Sequence, residues 1–151
     1  MSYGYWRRIV KYGNEEVCKE DLKKNGLLLE YVINQTKDMC KLAVQQNGEA
    51  LNYVENQTEE ICKLAVQENG YALQYVKNQT EEICKLAIQS NYRKFDILGL
   101  NICPLCYVLN KTDEICKLAV KNHSSALLFV PNQTDEICKL AVQQDGWTLK
   151  Y

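Results

Sequence analysis

Two thiols in the segment Cys103-Pro-Leu-Cys106 are the side chains of this 151-residue sequence best placed for chemistry. At that spacing a pair of cysteines can share a metal ion or cycle between dithiol and disulfide. A redox pair of this kind normally opens a helix that follows a strand in a βαβ setting, and no such alternation surrounds the segment. A structural zinc requires further ligands, and the near candidates are Cys116 and the single histidine, His123. Cys116, however, belongs to a repeated column of small apolar residues. Two small apolar residues in an irregular helix are therefore the first reading of Cys103 and Cys106. A thiol- or zinc-dependent module centred on them is the alternative. With one histidine no Ser-His-Asp set is available, and no glycine-rich phosphate loop or isolated carboxylate pair stands apart from the repeats. The chain reads as a non-enzyme without a cofactor.

The elements that must position these residues are set by a repeat. Cys-Lys pairs recur at Cys18, Cys40, Cys62 and Cys84, each 22 residues after the last, and again at Cys116 and Cys138 after one longer gap. A fixed period of this size signals stacked units, each completing its neighbour's core. Within the unit Asn56 to Val76, Thr58 supplies a helix N-cap, with Glu59 and Glu60 at the positive end of the helix dipole. Ile61, Cys62, Leu64, Ala65 and Val66 then form a buried helical stripe. Asn69-Gly70 is expected to end the helix in left-handed geometry. A second short helix follows, of about seven residues by its apolar spacing, with Ala72, Leu73 and Val76 inward and Tyr75 partly so. Ile61, Leu64, Val66 and Asn69 also fit the opening of a leucine-rich repeat. That repeat needs a large apolar residue two places after the asparagine, where this chain has Leu27, Glu49, Tyr71, Ser125 and Trp147. The alanine column and acidic caps favour helix.

Taken in order, residues 1–151 form one domain: an all-α solenoid of 22-residue two-helix repeats, with six copies and a leading half copy. The first long helix, near Asn14 to Lys24, carries Glu20 and Asp21 where later copies have leucine and alanine, as a capping repeat facing water would. A ten-residue insertion near residues 92–101 breaks the pattern, and two alignments of the following short helix are open, ending at Leu98 or at Val108. The final copy stops at Tyr151 without a polar cap, which points to self-association through that end, a continuation, or fraying.

Composition narrows the partners. Eighteen basic and nineteen acidic side chains give a net charge of −1, so no overall field draws in nucleic acid. Lys19, Lys41, Lys63, Lys85, Lys117 and Lys139 form a row, but each has an acidic residue three places earlier, as in Glu60 and Lys63, which predicts compensated surface pairs. No segment is long and apolar enough to span a membrane, and the N-terminus lacks the pattern of a signal peptide, so a cytoplasmic location is expected. Six of the eight cysteines share one register. Equivalent positions in stacked helices lie roughly 8 to 10 Å apart, beyond disulfide reach of about 7 Å, so a reduced, buried column is expected. Six Asn-x-Ser/Thr triplets match the glycosylation pattern, but five coincide with the repeated helix cap.

The copies as written here, Asn56-Gln-Thr-Glu-Glu-Ile-Cys-Lys-Leu-Ala-Val-Gln-Glu-Asn-Gly-Tyr-Ala-Leu-Gln-Tyr-Val, resemble the short helical repeats of domain-of-unknown-function family 4116. The resemblance runs over about residues 12 to 151, apart from the insertion. It implies an all-helical fold and a protein of a giant amoeba-infecting, mimivirus-like virus, acting in host cytoplasm. It carries over no catalytic residues.

What varies between copies is the remaining clue. Glu49, Tyr71, Ser125 and Trp147, with Leu27, share one register, and Glu30, Asn52, Gln74, Leu128 and Lys150 share another. Variable side chains on a fixed frame are how solenoids present a recognition surface. With Tyr92, Arg93 and Phe95 of the insertion, these residues are the expected contacts of a protein partner. The chain is thus expected to be a protein-binding or scaffold module.

Overall fold

The computed structural model describes residues 15–90 and 103–144. Among these described residues six α-helices alternate with five short 3₁₀ helices: α1 (Glu15–Lys24), η1 (Gly26–Tyr31), α2 (Lys37–Gln46), η2 (Gly48–Tyr53), α3 (Glu59–Glu68), η3 (Gly70–Tyr75), α4 (Glu81–Gln89), η4 (Pro104–Tyr107), α5 (Asp113–Asn122), η5 (Ser124–Phe129) and α6 (Asp135–Gln144). Each α-helix packs on the next, each 3₁₀ helix packs on the next, and each 3₁₀ helix is wedged between its own α-helix and the following one. The protein is an α-solenoid with one α edge and one 3₁₀ edge. No strand occurs among the described residues, which disposes of the leucine-rich alternative.

Each α-helix begins where the sequence places its cap. The hydroxyl oxygens of Thr36, Thr58, Thr80, Thr112 and Thr134 accept from the backbone N–H three residues on, at 3.3–3.4 Å. Ile61, Cys62, Ala65 and Val66 are buried, as are their counterparts in α2, α4 and α5. Ala72, Leu73 and Val76 close the unit from the other side. Leu51, Ile61, Leu73, Ile83, Leu105, Ile115 and Ile137 are fully buried, each contributing about 1.5–3 kcal/mol of apolar burial.

Three expectations need correction. The second helix, expected as a short helix of about seven residues, is a 3₁₀ helix of six. Its tighter winding brings residues three apart into line, so Gly70, Leu73 and Val76 share the inward edge. Asn69 is not left-handed: its φ of −146° is extended, and its side chain accepts from the Tyr71 N–H to cap η3. Asn47 does the same for η2. The glycine beside it answers to space rather than to handedness, because a Cβ on Gly48 would lie 2.5 Å from the carbonyl oxygen of Ala65. Finally, Asp21 does not face water. It occupies the alanine register at 9% exposure, with Lys24 at 3.7 Å, while Glu20 beside it is exposed.

The insertion falls between α4 and η4. Of its two alignments the structure adopts the one that ends at Val108, where Val108 donates to the Leu105 carbonyl as Val76 does to Leu73. Pro104 removes an N–H that a first-turn residue leaves unused, so the proline suits the start of η4.

Candidate functional site

The frame is held by a column of glutamines. Gln57 Nε2 donates to the carbonyls of Leu51 and Tyr75, at 3.3 and 2.9 Å, and Gln57 Oε1 accepts from the Lys77 N–H at 3.0 Å. One side chain thereby joins the end of η2 to the end of η3. Gln35 makes the same link to Tyr53 and Glu55, one copy earlier. Gln79 makes it to Tyr107 and Leu109 across the insertion, at 3.0 Å in both cases. The ten extra residues are therefore absorbed without breaking the register of the stack. These glutamines were legible only as the middle residue of Asn-Gln-Thr, and their recurrence at Gln35, Gln57, Gln79 and Gln133 was the signal available.

The cysteine column belongs to the same device. The thiols of Cys40, Cys62 and Cys84 donate to the Oε1 atoms of Gln35, Gln57 and Gln79, at 3.5, 3.7 and 3.8 Å. Burial pushes all three thiols above their ordinary pKa, which keeps them as protonated donors. A small residue with a weak S–H donor suits a buried position facing an amide oxygen.

Lys41, Lys63, Lys85 and Lys117 of the lysine row are compensated, but not by the partners that sequence spacing suggests. Lys63 bonds Glu59, four places back, at 2.9 Å and Glu82 of the following copy at 2.8 Å. Lys85 likewise bonds Glu81 and, at 3.1 Å, Glu114, while Lys117 bonds Glu136 at 2.7 Å. Glu60, expected to face Lys63, instead receives Lys37 and Lys41 of the preceding helix. Hydrogen bonds from those two ammonium groups hold its carboxyl down at about 2. Glu60, Glu82, Glu114 and Glu136, each three places before a lysine, thus serve the copy behind. Stacking brings the neighbouring helix's lysine closer than the helix's own.

Against this uniform frame one column differs at every step. Leu27, Glu49, Tyr71 and Ser125 each occupy the second position of a 3₁₀ helix; Glu49 is exposed and the other three are half-buried. The backbone beneath the first three is the same from copy to copy: the N–H groups of Leu27, Glu49 and Tyr71 donate to the asparagine two residues back at 3.0–3.1 Å. Tyr71 is steadied edge-on by Tyr107, with ring centroids 6.3 Å apart. Glu30, Asn52, Gln74 and Leu128 form the second variable register, and all four are exposed. Tyr92, Arg93, Phe95, Trp147 and Lys150 lie outside the described residues, as does the end at Tyr151.

Cys103 takes the register of Tyr71 but is buried, at 3% exposure, and burial pushes its thiol up to about 11. Burial also raises Cys106, which is half-exposed. The Lys111 charge draws Cys106 downward, but burial outweighs it, so neither thiol is activated as a thiolate. Among the described residues no three His, Cys, Asp or Glu side chains gather as metal ligands. A cleft of about 500 Å³ between the caps of α3 and α4 is lined by Glu55, Asn56, Thr58, Lys77, Asn78 and Thr80. Lys77 Nζ reaches across it to the Glu55 carbonyl at 3.3 Å.

A family model described as a domain of unknown function (DUF4116) matches residues 14–57, a stretch running from α1 to the turn before α3. The match is narrower than the expected span of about 12 to 151, and it supports the domain type. No curated protein and no solved structure matches the chain. No helix among the described residues is long and apolar enough to cross a membrane.

Proposed function

We propose that the chain is a non-catalytic protein-binding or scaffold module, whose partner lies along the 3₁₀ edge over Glu49, Tyr71 and Ser125. One observation carries the reading. Glutamine, lysine and glutamate side chains are spent on recurring bonds between copies, while the second residue of η1, η2, η3 and η5 varies. A fixed scaffold with changing side chains at one register is suited to an extended partner that reads several copies at once. Tyr71 supplies the aromatic anchor typical of such contacts. The pairing of Lys63, Lys85 and Lys117 with glutamates speaks against nucleic acid as that partner. Thiols held as hydrogen-bond donors suit a reducing compartment, in keeping with action in the cytoplasm. The family resemblance extends the reading to a viral protein in its host.

The test compares the parent with a variant carrying Glu49→Ala, Tyr71→Ala and Ser125→Ala. Proteins captured from host cytoplasm by the parent are identified, and the recovered partner is titrated against both chains. A Kd weakened at least about tenfold in the variant, at equal helicity, is the expected result. Equal affinity for the two chains would remove the 3₁₀ edge as the binding surface.

A further inference from the structure

Between Gln35 and Gln133 the glutamine column has one gap, and it is matched on both sides. In the copy that begins with α5 the glutamine register holds Lys111, whose ammonium donates to the Val108 carbonyl at 2.8 Å and has no oxygen with which to accept. The N–H that such an oxygen would receive, the counterpart of those of Glu55, Lys77 and Leu109, belongs to Pro131 and does not exist. No glutamine therefore joins the end of η4 to the end of η5.

Neighbouring positions weaken the same joint. His123 offers no side-chain cap to η5, where Asn25, Asn47 and Asn69 cap η1, η2 and η3. Packing follows the bonding: η4 lies more extensively on η3 than on η5, although its own length is the same in both contacts. Leu109 and Leu128, two of the three large apolar side chains most exposed among the described residues, flank this joint at 79% and 54% exposure.

The α edge is not weakened. α4, α5 and α6 pack on one another as closely as α3 packs on α4, and Lys85–Glu114 and Lys117–Glu136 bridge them at 3.1 and 2.7 Å. One edge is held and the other is unstapled.

We infer that the solenoid carries a built-in hinge between η4 and η5, which opens along the 3₁₀ edge while the α edge stays closed. The hinge lies one copy beyond the insertion, because Gln79 staples the stack across the insertion itself. Opening exposes the inward faces of Leu105 and Leu127, both buried in the closed form.

Residue-resolved amide hydrogen exchange on the full chain tests the inference. The amides of Ala126 and Val130 are expected to exchange at least about tenfold faster than those of Ala72 and Val76, their counterparts in η3. Over the same interval the amides of Cys116 and His123 in α5 stay as protected as those of Cys62 and Asn69 in α3. The double variant Lys111→Gln, Pro131→Lys supplies both missing partners and brings η5 to the protection of η3. The reverse pair, Gln57→Lys with Lys77→Pro, moves fast exchange to η3. Equal protection of η3 and η5 in the parent overturns the inference. So does loss of protection in α5 along with η5, which is fraying of the whole end rather than a hinge, and so does a difference that the Lys111→Gln, Pro131→Lys variant leaves unchanged.

Discussion

A single amide at Gln57 meets four groups: two carbonyls, one N–H and one thiol. Replacing it by alanine strips the Tyr75 and Leu51 carbonyls of a donor and the Lys77 N–H and Cys62 thiol of an acceptor. The groups are only partly buried, so water recovers some of the loss, and Gln57→Ala is expected to cost about 2–3 kcal/mol. Gln74, exposed and bonded only within its own copy at 3.2 Å, is the control, with a change under about 0.5 kcal/mol. Urea unfolding of the two variants measures the contrast. Equal effects would mean that the column decorates the stack without holding it. The residue scale also corrects the view of the cysteines. Their common register was legible, and Cys18, Cys40, Cys62, Cys84 and Cys116 are buried as expected, while Cys138 is half-buried. Their role as donors to a glutamine five residues earlier was not legible, because helix and turn geometry had to bring the two together.

At the scale of the element, the glycine that opens each of η1, η2 and η3 sets how closely that 3₁₀ helix approaches the next α-helix. Glycine inside a helix is ordinarily a liability, and alanine there stabilises by roughly 0.5–1 kcal/mol. At Gly48 the sign reverses. Its Cβ would sit 2.5 Å from the Ala65 carbonyl oxygen, a backbone atom that cannot rotate away, and the Gly48 N–H, bonded to Glu68 at 2.6 Å, fixes the approach. Gly48→Ala is expected to destabilise by about 1–3 kcal/mol through overpacking. A thermal melt decides it, and a higher Tm than the parent's would show that the two elements can part without cost. The expectation of left-handed geometry at Asn69-Gly70 came from reading the pair as a stop signal for one helix. The structure uses the asparagine as the start signal of the next, and the next helix is too short for its 3₁₀ winding to show in apolar spacing.

The whole molecule is tied along its α edge by a ladder of charges, and its stability should therefore follow pH and salt. Glu60, ordinarily at 4.5, is held at about 2 by hydrogen bonds from Lys37 and Lys41, and Glu81 is lowered by its bond from Lys85. A lowered carboxyl stabilises the fold above its unfolded value, and that contribution is lost as pH falls from there through the folded value. Lys63, Lys85 and Lys117 are raised above 10.5 by bonds to glutamates, so their contribution is present below that pH and lost above it. The urea midpoint is expected to be flat between these limits and to fall on either side, with shallower slopes in high salt because the pairs are exposed. A Glu60→Gln variant with the parent's full acid slope below 4.5 would remove this glutamate from the account.

The division between sequence and tertiary structure follows from the range of the interactions. Periodicity, caps and the apolar stripe are local, and the chain alone determined them: the repeat of 22, Thr58 and its counterparts as helix starts, the buried Ile61, Ala65 and Val66, and the all-α stack. The variable register of Glu49, Tyr71 and Ser125 was equally legible, since comparing copies within one chain needs no coordinates. Only the tertiary structure decided which lysine meets which glutamate, that Asp21 is buried, and that Gln79 reaches Tyr107 across the insertion while Lys111 leaves the next joint open. Those outcomes depend on distances between copies. A repeat fixes what each copy contains, and stacking fixes what one copy presents to the next.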